Sequence, residues 1–102
     1  AAVLASGLDG IARKLDAGEP NSENLYATPY RELIDRGLRS LPSTLHEATV
    51  ELEQDDVLRA ALGRTRENEE YVDYYVRVKQ EEWFRYHEQV SAWEVREYLT
   101  RF

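Results

Sequence analysis

The side chains that could carry acid–base or metal chemistry are few in this chain and stand far apart. The two histidines are His46 and His87, and neither has a second histidine or a cysteine at the spacing of a zinc site. A serine–histidine–acid arrangement could be assembled from Ser91 and His87, but no local pattern would hold these side chains in place. We therefore expect both histidines to lie in packing contacts or on the surface.

Carboxylates are more numerous, with 20 aspartates and glutamates against 13 lysines and arginines. Three pairs of adjacent carboxylates occur, at Asp55–Asp56, Glu69–Glu70 and Glu81–Glu82. Neighbouring residues on a helix point in different directions, so such a pair does not converge on one metal ion or one substrate. The sequence also lacks a glycine-rich phosphate loop. These patterns predict no catalytic residue, no metal ligand and no cofactor contact within the chain.

One tyrosine is a candidate for chemistry because it lies in a polar loop. Tyr26 forms an apolar pair with Leu25, directly after the polar residues 21–24. If Leu25 tethers the loop to a packed surface, the hydroxyl of Tyr26 points outward. The alternative is an amphipathic anchor whose ring packs against the protein, and the residues alone favour that interpretation.

An amphipathic helix precedes this loop. Apolar residues recur at steps of three and four along it, at Val3, Leu4, Leu8, Ile11 and Leu15. We expect the helix to end at Gly18, which adopts the left-handed C′ conformation easily, with Pro20 preventing its continuation. No capping residue or methionine precedes Ala1, so we expect a chain cut inside a helix. A processed signal peptide is the alternative, although no basic region precedes the apolar run.

Short signals predict further helices after the loop. The expected starts are Thr28–Pro29 as cap and first helical residue, the capping-box pair Thr44 and Glu47, and the acidic residues Asp55–Asp56; the expected ends are Gly37 and Gly63. No stretch alternates apolar and polar residues as a strand would for long.

The absence of glycine and proline from Glu67 to Val90 predicts one long helix. Its apolar stripe is expected at Val72, Val76, Lys79, Trp83, Tyr86 and Val90, widened by Tyr75 and Val78, with Tyr71, Tyr74 and Phe84 partly off it. Ser91 and Glu94 have capping-box spacing, and the helix that they start is expected to end the chain at Phe102. The predicted fold class is all-α: several short helices, one long helix and a C-terminal helix.

Length and composition limit the function classes. A chain of 102 residues allows one domain at most, with a modest core and marginal stability of its own. The net charge of −7 argues against a nucleic-acid partner, and no apolar run approaches the ~18 residues that span a membrane. The absence of cysteine suits a cytoplasmic protein.

The order of several motifs resembles the C-terminal part of glutamine synthetase. The motifs are Gly-Leu-Asp-Gly-Ile at 7–11, Gly-Glu-Pro at 18–20, Asn-Leu-Tyr at 24–26, Leu-Pro-Ser-Thr-Leu-His-Glu-Ala at 41–48 and Leu-Glu-Gln-Asp-Asp at 52–56. The resemblance implies that residues 1–102 are one helical segment of a larger α/β catalytic domain. In the family, that domain uses ATP and Mg²⁺ or Mn²⁺ to join ammonia to glutamate through γ-glutamyl phosphate, and the reactive groups would precede Ala1.

The resemblance also gives one residue of the chain a regulatory role. In the adenylylated members of the family, the tyrosine of Asn-Leu-Tyr accepts AMP, and that residue is Tyr26 here. Those members continue with Asp-Leu-Pro-Pro-Glu, whereas this chain continues with Ala-Thr-Pro-Tyr at 27–30.

Two alternatives to a glutamine synthetase segment stay open. One is a segment of a related ligase that joins glutamate to another amine, such as a polyamine; the other is a non-catalytic helical interaction module. On the ligase hypothesis the isolated chain is inactive and its partners are the rest of the catalytic domain and neighbouring subunits of a homo-oligomer. The family's C-terminus reaches towards the facing ring in the double-ring type, but the ending at 98–102 differs from that of its best-known members.

Overall fold

The computed structural model describes residues 1–100 and shows an arrangement of helices joined by short loops. The helices are α1 (Ala2–Ala12), α2 (Tyr30–Asp35), α3 (Leu45–Glu53), α4 (Asp56–Leu62), α5 (Tyr71–His87) and α6 (Ala92–Glu94), with a 3₁₀ turn at Leu25–Ala27 and a π-helical turn at Val95–Leu99. Within the described residues, extended pairing is limited to one bridge between Arg64 and Glu70. The all-α prediction is therefore confirmed.

Helix α1 ends earlier than the sequence predicted. Lys14, not Gly18, takes the left-handed conformation, with φ = 52°. The Lys14 N–H donates to the carbonyl of Ile11 and the Leu15 N–H to that of Gly10, which closes a Schellman motif. Gly18 also has a positive φ, but it lies in the following loop, where its N–H donates to the carboxylate of Asp16. The prediction was wrong because backbone bonds at the helix end tolerate a lysine where glycine is usual.

The predicted ends of α2 and α4 are confirmed, whereas one start differs. Gly37 and Gly63 have φ values of 76° and 68°, and the Gly37 N–H donates to the carbonyl of Ile34. Pro29 occupies the cap position itself rather than the first helical position. Its carbonyl accepts the first helical hydrogen bonds, and its missing N–H costs nothing there.

The long helix is shorter than predicted at both ends. Residues 64–70 form a tight turn before it, because Asn68 adopts φ = 64° and the Glu69 carbonyl accepts the Thr65 N–H at 2.7 Å. The Arg64 guanidinium donates to the backbone and side-chain oxygens of Asn68 and holds this turn closed. The prediction relied on the absence of glycine and proline, but asparagine can also adopt the left-handed conformation, and Asn68 does so here. At the other end, α5 ends at His87 instead of Val90.

Burial in this chain centres on the contact between α3 and α5. The buried side chains are Val72 and Val76 from α5 and Thr49 from α3. The Thr49 hydroxyl donates to the carbonyl of His46 at 2.7 Å, which satisfies it away from water. The predicted stripe is thus correct in its first half, while Tyr86 and Val90 at its far end are exposed.

The described residues form a thin plate. Its principal extents are 58, 47 and 17 Å, and its radius of gyration is 19.1 Å, against about 13 Å for a compact domain of this length. The accessible surface is 9160 Å², whereas a compact monomer of this mass exposes roughly 6,000 Å². The plate exposes much apolar surface, including most of α1.

The C-terminal turn begins as the sequence predicted. Ser91 and Glu94 form a complete capping box, and Trp93 packs edge-on against Tyr98. The predicted end of this helix at Phe102 lies outside the described residues. Among the described residues, none of the helices combines the length and apolar character needed to cross a membrane.

Candidate functional site

The loop that carries Tyr26 is organised by Asn24. The side-chain oxygen of Asn24 accepts the Tyr26 N–H at 3.1 Å, and its carbonyl accepts the Ala27 N–H at 3.1 Å. This pairing forms the 3₁₀ turn and directs Tyr26 outward. Tyr26 is fully exposed, while Leu25 is 37% exposed. Of the two interpretations drawn from the sequence, the structure agrees with the outward hydroxyl, because the ring packs on nothing in the described chain.

Two ion pairs of Arg36 connect this loop to α2. Arg36 donates to a carboxylate oxygen of Glu23 in the loop and to one of Glu32 in α2, both at 2.7 Å. The hydrogen bond that Arg36 donates to Glu23, followed by the one that it donates to Glu32, raises the pKa of the Arg36 guanidinium. All three side chains are solvent-exposed, so these pairs add little stability. They connect the Tyr26 loop to the end of α2.

The two histidines, far apart in sequence, meet on the same tryptophan. The His46 ring stacks on Trp83 with centroids 5.1 Å apart and an interplanar angle of 17°. The centroids of the His87 and Trp83 rings are 4.1 Å apart, and the His87 Nδ1 is 3.2 Å from the Trp83 carbonyl oxygen. The expectation that the histidines lie in packing contacts or on the surface is therefore confirmed, but the sequence did not place both rings together. The spacing of four residues from Trp83 to His87 was the available signal; nothing local indicated His46.

Adjacent carboxylates serve separate partners, although Glu69 and Glu70 lie in the turn before α5 and not on a helix as predicted. Glu69 pairs with Arg77 and Glu70 with Arg59, although the two glutamates are neighbours. Asp55 instead caps α4 by accepting the Leu58 N–H at 3.0 Å. Across the part of the chain that the structure describes, no group of three or more histidines and carboxylates could hold a metal ion.

Two glutamates act as helix caps. Glu47 accepts hydrogen bonds from the backbone and hydroxyl of Ser43, at 2.8 and 2.9 Å, and these bonds lower the pKa of its carboxyl group. Thr44 accepts the Glu47 N–H as predicted, but the returning side chain reaches Ser43, one residue before the expected partner. Glu94 accepts the Ser91 N–H at 2.7 Å, and its pKa is likewise lowered, chiefly by that bond.

An open groove lies where the segment after α2 meets α3. Its lining includes Tyr30, Arg39 and Leu41 on one side and Glu47 and Glu51 on the other. The Glu47 carboxylate is already engaged by Ser43. One of the two carboxylates that line the groove is therefore used in a helix cap.

The exposed apolar surface of the described residues is typical of a surface that packs against further protein. Residues 1–98 match the family model described as glutamine synthetase, catalytic domain. The chain belongs to the glutamine synthetase catalytic-domain family. The family match extends from α1 through almost all of the π-helical turn.

Individual members of the glutamine synthetase family align with the whole chain. It is 44% identical to a glutamate–methylamine ligase of Methyloversatilis universalis over all 102 residues, which cover 22% of that protein. It is 37% identical to a glutamine synthetase of Staphylococcus aureus over 102 residues, again 22% of the relative. It is also 37% identical to a glutamine synthetase of Methanosarcina mazei over 100 residues, which are 98% of this chain and 21% of that enzyme. The chain thus spans about a fifth of the length of these relatives.

Proposed function

We propose that residues 1–102 are the helical C-terminal segment of an ATP-dependent ligase that joins ammonia to the γ-carboxyl group of glutamate through γ-glutamyl phosphate. The observation that supports this proposal is the match of residues 1–98 to the glutamine synthetase catalytic domain. Two of the relatives over which the chain aligns are named glutamine synthetases. Family membership favours the ligase over a free-standing interaction module.

In this proposal the segment supports the catalytic site without supplying its reactive groups. The carboxylates of Asp55, Glu69 and Glu70 are used in a cap and in ion pairs, and ATP and Mg²⁺ or Mn²⁺ would be bound by the rest of the catalytic domain. The isolated segment is inactive. Its partners are the remainder of that domain and neighbouring subunits of a cytoplasmic homo-oligomer, without nucleic acid or membrane.

A second amine acceptor has specific support. Identity is higher to the glutamate–methylamine ligase, at 44%, than to either glutamine synthetase cited above, at 37%. The alternative function is therefore γ-glutamylation of an alkylamine or polyamine. Both reactions share the activated glutamate and differ only in the nucleophile that displaces phosphate.

The full-length protein encoded by the reading frame that contains this segment tests the function. Purified protein is incubated with glutamate, ATP and Mg²⁺, and phosphate release is measured with ammonia, methylamine or putrescine as acceptor. We expect turnover that depends on glutamate, with ammonia giving the highest kcat/KM. A higher value with methylamine or putrescine would replace ammonia as the substrate, and no glutamate-dependent turnover with any amine would contradict the ligase. Residues 1–102 alone serve as the inactive control.

We further propose that Tyr26 accepts AMP. Its phenolic oxygen would bond to the α-phosphorus of ATP, releasing pyrophosphate and a proton, and the full exposure of its side chain supports access by an adenylyltransferase. The added phosphodiester would change the electrostatics of the loop. The protein is incubated with a cognate adenylyltransferase and then analysed by intact-mass and peptide mass spectrometry. We expect AMP on the peptide that contains Tyr26. Tyr26→Phe should abolish it and Tyr30→Phe, at another exposed tyrosine, should not; an unmodified wild-type chain would refute the proposal.

A further inference from the structure

Arg36 connects the loop that carries Tyr26 to α2 through two bonds of different origin. Its Nη2 donates to Oε1 of Glu32, which lies one turn earlier on the same helix, at 2.7 Å. Its Nη1 donates, also at 2.7 Å, to Oε2 of Glu23, which lies 13 residues away in the loop. The first bond is held within the helix. The second exists only while the loop keeps its position beside α2.

The bond to Glu23 is the one that a competing anion replaces more easily. The Glu23 side chain is 60% exposed and the Arg36 side chain 39%, so water and salt screen this ion pair. Glu23 also places one carboxylate oxygen on one nitrogen of Arg36, whereas two parallel bonds would hold an arginine more firmly. An anion that offers two oxygens to the same guanidinium can therefore take its place.

The side chain of Tyr26 brings such an anion within reach when it is modified. Tyr26 follows Glu23 by three residues, which places their Cα atoms at most about 11 Å apart. The turn shortens that separation, because the side-chain oxygen of Asn24 accepts the Tyr26 N–H at 3.1 Å. Tyr26 is fully exposed, so its side chain can rotate towards Arg36 without losing any packing.

A phosphodiester on the phenolic oxygen of Tyr26 is well matched to arginine. It carries one negative charge and has two oxygens that are free to accept hydrogen bonds. A planar guanidinium donates to two such oxygens in parallel, and this charge-assisted arrangement is stronger than a single bond. The modified Tyr26 would thus compete with Glu23 for the nitrogen atoms of Arg36.

We propose that Arg36 is the residue that responds to AMP on Tyr26: the phosphodiester replaces Glu23 on the guanidinium, while Glu32 keeps its bond. This inference rests on the proposed adenylylation of Tyr26. The exchange removes the connection that Glu23 makes between the loop and α2, and it creates a new connection through Tyr26. The loop is then attached to α2 at a different residue, so its conformation depends on whether Tyr26 is modified.

The test places a negative charge on Tyr26 without an adenylyltransferase. Sulfotyrosine is encoded at position 26 of the full-length protein by amber suppression, because its sulfate carries one negative charge on a tetrahedral group, as the phosphodiester does. Glu23→Gln and Arg36→Gln are each introduced into the sulfated and the unsulfated protein. Hydrogen exchange of the amides of residues 21–29 is then measured by mass spectrometry.

We expect the two substitutions to act differently once the new charge is present. In the unsulfated protein, each removes the ion pair and should speed exchange of the loop roughly threefold. In the sulfated protein, Arg36→Gln should still speed exchange, whereas Glu23→Gln should leave it unchanged because Glu23 no longer contacts Arg36. Arg31→Gln, at another exposed arginine of α2, is the matched control and should have no effect in either form.

Three results would overturn the proposal. Equal acceleration by Glu23→Gln in both forms would show that Glu23 stays on Arg36. No acceleration by Arg36→Gln in the sulfated protein would show that Arg36 does not bind the new charge, and none by Glu23→Gln in the unsulfated protein would show that there is no bond to exchange. The measurement needs neither ATP nor an adenylyltransferase, so a chain that never accepts AMP would contradict the proposed modification and leave this readout intact.

Discussion

Arg59 and Asp73 join α4 to the first turn of α5 through a hydrogen bond of 2.8 Å between Nη2 and Oδ1. The same guanidinium donates to a Glu70 carboxylate oxygen at 2.7 Å and to the carbonyl of Glu53 at 2.6 Å. One side chain thus links the end of α3, the middle of α4 and the start of α5. It is also largely shielded, with 18% of the Arg59 side chain exposed. This contact links α4 to α3 and α5, the two helices that contain the small core.

Replacing Arg59 by lysine should destabilise the segment. A lysine carries one ammonium group and cannot bond two carboxylates and a carbonyl in the planar geometry of arginine. We expect the thermal midpoint of Arg59→Lys to fall by roughly 5 °C. Arg13→Lys is the control, because Arg13 pairs only with Asp9 one turn away and is mostly exposed. Equal effects of the two substitutions would show that the linked position of Arg59 does not matter.

Acid should weaken the same contact. The hydrogen bond from Arg59 lowers the pKa of Asp73 in the folded chain. The stabilisation is therefore complete above the ordinary aspartate value, near pH 4, and is lost as pH falls through the lower folded-state pKa. Thermal melts between pH 6 and about pH 2 should show a falling midpoint whose slope decreases in Asp73→Asn. Asp35→Asn, at the exposed end of α2, should retain the wild-type slope; an unaltered slope in Asp73→Asn would contradict the assignment.

The core is small enough that one valine should matter. Val72 is 1% exposed, and Val72→Ala removes two methyl groups from the contact of α5 with α3, which should cost about 2 kcal/mol. Val90→Ala makes the same chemical change at a residue 72% exposed and should stay within about 0.5 kcal/mol of wild type. Urea unfolding measures both. Similar losses for the two variants would place the core elsewhere.

The stacking of His46 on Trp83 should appear as a coupling energy. We expect a double-mutant cycle with His46→Ala and Trp83→Ala to give about 1 kcal/mol, since the rings are stacked at 5.1 Å. The cycle is measured by urea unfolding. His46→Ala combined with Trp93→Ala is the control, because Trp93 packs against Tyr98 instead. A coupling no larger than that of the control would mean that the stack contributes nothing.

Lys14→Gly should stabilise α1. Lys14 has a positive φ of 52°, which glycine adopts without the Cβ clash of other residues, so we expect a gain of about 1 kcal/mol in local stability. Hydrogen exchange of the α1 amides measures it. Arg13→Gly, at a residue in the right-handed helical region, should instead speed exchange. Slower exchange in both variants would point to the loss of positive charge rather than to backbone relief.

Local chemistry in the sequence predicted much of this chain correctly. The caps at Thr44, Asp55 and Ser91 and the glycine ends at 37 and 63 were recognisable, because each depends on bonds between residues a few positions apart. Two of the helix bounds that failed, at Lys14 and before Tyr71, are those where a residue other than glycine adopts the left-handed conformation, whereas α5 ends at His87 with Glu88 in the right-handed region. The order of the motifs also identified the family, because a motif can be recognised in the sequence without knowledge of three-dimensional contacts.

Tertiary structure decided which distant residues meet. How the helices pack determines three features of the chain. Both histidines contact Trp83, Glu70 and Asp73 both pair with Arg59, and the α1 stripe is exposed. Periodicity shows that a helix has an apolar face, but not what covers it, since burial is set by elements remote in sequence. For α1, the sequence determined the stripe, and only the packed structure showed that its neighbours within the chain leave it uncovered.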